Sequence, residues 1–132
     1  MSVTCELAQT YLEQLDLNYI VETMCAEHYP LPRWTREDAL QCCQKYKNFL
    51  LLQKKNPKNL LVPTKQIDEF WHNHILYTQN YFKDCLNIFG HYFHHVPANP
   101  NDDQQQLIAD YLQTKVLYLA EFHEPYTLIE GR

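Results

Sequence analysis

The stretch from Asp68 to Pro97, DEFWHNHILYTQNYFKDCLNIFGHYFHHVP, concentrates the reactive side chains of this chain. Five of its seven histidines lie there, at His72, His74, His91, His94 and His95, with Asp68, Asp84 and Cys85 among them. Imidazole, carboxylate and thiolate are the ligand types of transition-metal sites and the acid–base types of active sites.

Helical geometry sorts these residues. Asp68 and His72 are four apart and share a helix face, where a carboxylate can ligate a metal beside the ring or orient it. His74 lies two residues on and points elsewhere, so His72 and His74 cannot both reach one ion on a regular helix. His74 sits instead with Tyr81 and Cys85, on the other flank of a stripe containing Trp71. Beyond Gly90 the chain can fold back across the helix end. A three-ligand set of Asp68, His72 and either His95 or His91 would leave an open position, as catalytic zinc sites do. The cofactor expected on this reading is zinc or another divalent transition metal. The spacing matches no HExxH, paired CxxC or zinc-finger pattern.

The plainer alternative is structural. Histidines often satisfy buried hydrogen bonds, and a Trp/Phe/Tyr stripe at helical spacing is usually core. Cys85 as a nucleophile would need a histidine partner. On an unbroken helix the Cα atoms of His74 and Cys85 stand about 16 Å apart, too far for a direct pair.

The elements that must position these groups read as helices. Periodic apolar residues mark segments over about 5–15 and 17–27. Pro30 and Pro32 then break the chain. Thr35, followed by Glu37 and Asp38, reads as the cap of a helix reaching about Lys54, with Asn56-Pro57 ending it. Thr64 caps the next, whose stripe is Ile67, Trp71, Ile75, Thr78, Phe82, Cys85 and Phe89, with Gly90 as its left-handed terminus. A last helix begins after Asn99-Pro100-Asn101-Asp102-Asp103, with an expected core stripe of Ile108, Leu112, Val116, Leu119 and Phe122. Two glycines in 132 residues cannot supply the tight turns of a sandwich or barrel, nor a phosphate-binding loop. The fold expected is an all-α antiparallel bundle of four to five helices, one domain over 4–126, with 127–132 a disordered tail. Ile129-Glu130-Gly131-Arg132 matches a protease-recognition tetrapeptide used in expression vectors and is set aside from fold reasoning.

The net charge of −5 is unevenly spread: residues 33–65 carry eight basic and two acidic groups. That stretch is weaker than the footprint of most nucleic-acid binders, so nucleic acid is not an expected partner. No apolar run approaches the roughly 20 residues of a membrane span. Five cysteines without a secretory pattern suggest free thiols in a reducing, cytoplasmic setting. Ten tyrosines favour half-buried surfaces and grooves.

The pattern Asp68-x-x-Trp71-His72-x-His74-Ile75-Leu76, then Tyr81-x-x-Asp84-Cys85, then Phe89-Gly90 and His95-x-Pro97, resembles the signature block of the glycine-rich domain-containing protein family. The chain lacks that family's glycine-rich region, so the resemblance covers its helical domain. It implies a small helical module without an established activity, in which His72, His74, Tyr81, Asp84 and Cys85 act as a set.

Two functions are expected from these residues. The first is a binding module for a protein or small molecule, with Trp71, His74, Tyr81, Asp84 and Cys85 lining the site. The second is a metal-dependent hydrolase on Asp68, His72 and His95 or His91. Crowded imidazoles should also weaken the site when protonated near about pH 6.

Overall fold

The structure, a computed structural model, describes residues 2–132. Among them are six helices and no strand: α1 Cys5–Gln14, α2 Asn18–Cys25, α3 Arg36–Lys55, α4 Lys65–Leu76, α5 Thr78–Phe89 and α6 Gln104–Phe122. The all-α bundle is as expected, with one helix more.

Local chemistry sets the helix ends. Thr4, Thr35 and Thr64 each accept a backbone N–H three residues on, and Asp103 accepts two, which satisfies donors that a helix start would otherwise leave bare. Gly90 ends α5 at φ 80°, in the left-handed region where a side chain would be strained.

The extra helix comes from a break at Tyr77, which serves as C-cap of α4 and leads into α5. The sequence offered one continuous period from Ile67 to Phe89. No proline or glycine marks the break, and Thr78 and Phe82 from the expected stripe are exposed. The kink re-aims α5 so that Tyr81, Asp84, Cys85, Ile88 and Phe89 face inward.

Helix α3 is the hub, packing against the other five. Its inward side chains include Ala39, Cys42, Tyr46, Phe49 and Leu50, all essentially without solvent contact. Burying the larger apolar ones, Phe49 and Leu50, contributes about 1.5–3 kcal/mol each. The thiols fit the same picture. Burial pushes the Cys42 thiol up to about 12, and those of Cys43 and Cys85 also upward, so none is held as a thiolate.

Two expectations need correction. Ile108, Leu112, Val116 and Leu119 do not form the core stripe of α6, for all four are exposed. Helix α6 carries a second apolar period, and Tyr111, Thr114, Tyr118 and Phe122 face the bundle instead. Residues 127–132 also differ from a loose tail. Gln66 brackets Ile129, accepting its N–H at 2.7 Å and donating to its carbonyl at 3.2 Å. The Arg132 guanidinium lies 3.6 Å from the centroid of the Trp34 ring.

Candidate metal centre

Helix α4 has two working faces. Outward, Asp68 and His72 stand one turn apart, with His72 Nε2 3.4 Å from Asp68 Oδ2. Inward, Phe70, Trp71 and His74 enter the core. The three-residue strip Trp71-His72-Asn73 therefore joins a buried scaffold to a wet surface.

After the Gly90 cap the chain runs back along α4 without regular structure. Four contacts fix its path. The Trp71 indole N–H donates to the Tyr81 hydroxyl at 2.9 Å, and that hydroxyl donates to the Phe93 carbonyl at 2.5 Å. Phe93 and His95 both stack on Trp71, with ring centroids 5.0 and 4.0 Å away. Residues two apart in an extended segment lie on the same side, so seating Phe93 also seats His95.

His95 Nε2 thereby reaches Asp68 Oδ1 at 2.5 Å and His72 Nε2 at 3.1 Å. Asp68, His72 and His95 bring one ligand atom each to within 4.8 Å of one another. Protons on both rings do not satisfy this arrangement well. Both Nε2 atoms are directed at one carboxylate, and if both donate to it their N–H groups crowd each other. A cation at the focus would accept all three ligands at once. Tetrahedral zinc with bonds of about 2.0–2.1 Å needs ligand atoms about 3.3 Å apart. The two separations from His72, 3.1 and 3.4 Å, are close to that edge, while the 2.5 Å between His95 Nε2 and Asp68 Oδ1 is shorter and would have to open on binding. The His72 side chain is 57% exposed and that of Asp68 33%, so the far side of the focus opens to solvent.

His91 is not brought to this cluster. It lies by its own backbone, with Nδ1 3.0 Å from the Tyr92 carbonyl, and lines a cleft with Lys54, Pro57 and Phe89. His94 is exposed and packs edge-on against Tyr92.

The other expected set, Trp71, His74, Tyr81, Asp84 and Cys85, comes together beneath the surface, and each of its members is buried. Its centre is a relay of polar groups. Asp84 accepts from His74 Nε2 at 2.8 Å through one oxygen and from the Tyr11 hydroxyl at 2.6 Å through the other. The Tyr46 hydroxyl lies 2.7 Å from His74 Nδ1, so the ring is held from both sides, by Tyr46 at Nδ1 and by Asp84 at Nε2. The His74–Asp84 pair, ten residues apart, forms because of the bend at Tyr77. Sequence reasoning missed Tyr11 and Tyr46, whose helical spacing reads only as core.

Burial also tunes the phenols. It pushes Tyr46 well above its ordinary value. Tyr29 rises to about 12, first by burial and then by the Glu69 carboxylate to which it donates. Below about pH 10 these groups are neutral in both folded and unfolded chains. Above it the unfolded chain ionises first, so stability falls as pH rises toward the raised folded values. The melting temperature should drop between pH 10 and 12, with tyrosinate absorbance appearing together with loss of helical circular dichroism. Absorbance rising while helicity persists would count against these burials.

A protein-family model, UCP032817-like, matches residues 8–114. The chain belongs to this UCP032817-like family. That match corrects the resemblance to the glycine-rich domain-containing proteins. The Trp-His-x-His block lies within the matched span but belongs to a different, uncharacterised family. No curated protein and no solved structure matches the chain. No helix among the described residues is long and apolar enough to cross a membrane.

Proposed function

We propose that this protein binds one divalent transition metal of the zinc type through Asp68, His72 and His95, with the remaining position open to water. The observation that carries the reading is the convergence of two Nε2 atoms and a carboxylate, assembled from α4 and a return segment that other contacts hold in place. Three protein ligands and an open side are the pattern of catalytic rather than structural zinc, and zinc lowers the pKa of bound water to about 7. The chemistry supported best is therefore hydrolysis by a metal-activated water. The buried set around His74 and Asp84 serves as the scaffold that orients α4, rather than as a surface for a ligand.

Elemental analysis and zinc titration, on protein purified without a histidine tag, test this. Wild type and His91→Ala should hold one zinc per chain. His72→Ala and His95→Ala should lose it while keeping their helical content, since His72 is exposed and His95 packs on Trp71 from a segment outside the helices. Wild type with no stoichiometric metal, and no change in melting temperature on adding zinc, would sink the reading.

A further inference from the structure

We infer that the cleft beside His91, between the end of α3 and the return segment, binds a small aromatic carboxylate. The cleft has a volume of about 170 Å³ and is lined by Gln53, Lys54, Pro57, Phe89, His91 and Phe93. That is smaller than a drug-sized pocket, yet a cavity of about 150 Å³ already holds benzene. Size therefore limits the occupant to one ring with a small substituent.

One wall is aromatic. The Phe89 ring centroid lies 4.6 Å from that of Phe93 and 6.1 Å from that of His91. Phe93 is backed by Trp71 at 5.0 Å, and Phe89 is buried, so this wall is held before a ligand arrives. Ring faces and edges of this kind accept a further ring, offset-stacked or edge-on.

The opposite wall supplies charge. The Gln53 amide donates to the carbonyls of Asn56 and Asn59, which holds the turn containing Pro57. The Leu52 and Gln53 carbonyls at the end of α3 are themselves taken up, both by the Asn56 N–H and the first also by the Asn56 side chain. Two lysines stand in this last turn. Lys55 pairs with Glu121 of α6 at 2.7 Å, whereas Lys54, half-buried, makes no ion pair among the described residues. The lining holds no carboxylate. In a chain of net charge −5, a hollow with one unpaired cation and no acid selects for an anion. An aromatic carboxylate meets both walls, its ring against Phe89 and Phe93 and its charge at Lys54.

Saturation-transfer NMR on the full chain tests the site, with benzoate and benzylamine as probes of one ring and opposite charge. Wild type should bind benzoate with a Kd of about 1 mM, as so few atoms allow. Benzylamine should bind more weakly. Lys54→Ala should weaken benzoate binding about fivefold, the upper range for a partly exposed ion pair. Lys54→Glu should reverse the preference and favour benzylamine. Lys54 lies outside the core, so helicity and melting should be retained in both variants. Wild type that fails to bind benzoate well above the expected Kd overturns the proposal. So does equal binding of the two probes, or a Lys54→Glu variant that still prefers benzoate, since either would mean ring contact without a charge-selective site.

Discussion

Asp84→Ala should destabilise the domain by about 3–5 kcal/mol, the cost of removing one member of a buried hydrogen-bonded pair. The carboxylate is nearly inaccessible and serves two donors, His74 Nε2–H and the Tyr11 hydroxyl. Deleting it leaves both without a partner, at about 1–3 kcal/mol for a buried donor. The network also holds α1, α3, α4 and α5 together, through Tyr11, Tyr46, His74 and Asp84 respectively. Total stability for a domain of this size is about 5–15 kcal/mol, so the variant should be largely unfolded at elevated temperature. Tyr11→Phe is the control. It removes one half-buried donor and should cost about 0.5–1.5 kcal/mol. Urea denaturation followed by circular dichroism measures both. An Asp84→Ala midpoint close to that of wild type would mean that the pair is incidental to the fold.

That network shows where the sequence was legible and where it was not. The caps at Thr35 and Thr64 and the left-handed Gly90 could be read directly, because capping depends on side chains a few residues apart. The face shared by Asp68 and His72 was legible for the same reason. The bend at Tyr77 was not, since no residue there forbids a helix and the apolar period runs through it. Treating residues 64–89 as one rod put His74 and Asp84 about 15 Å apart, at 1.5 Å per residue, whereas the bend brings them into hydrogen-bond contact. Helix α6 failed differently. Its two apolar periods are both valid, and only the packing on α3 decides that Tyr118 goes in and Leu112 stays out. The choice of His95 over His91 needed the same kind of knowledge. Both fit a chain that folds back, and stacking on Trp71 selects one of them.

Tyr81→Phe should lower zinc affinity by about 10–100-fold without changing the stoichiometry, the usual range for a partner that orients a ligand. The hydroxyl touches none of the three proposed ligands. It bridges the Trp71 indole N–H and the Phe93 carbonyl, and so ties the return segment to α4. Removing it leaves the indole N–H unsatisfied inside the core, at about 1–3 kcal/mol of stability. It also frees the backbone two residues before His95. The ring stack of Phe93 and His95 on Trp71 remains, so the segment loosens but does not detach. His95→Ala should be far more damaging to binding, because it deletes a ligand, while the Tyr81 tether and the Phe93 stack keep the segment in place and limit the loss of stability to that of one ring stack. Zinc titration beside urea denaturation separates the two effects. If Tyr81→Phe loses stability while binding zinc as tightly as wild type, the rings alone position His95. If it loses affinity while a distant core variant of equal instability does not, the hydroxyl is a positioning group for the metal centre.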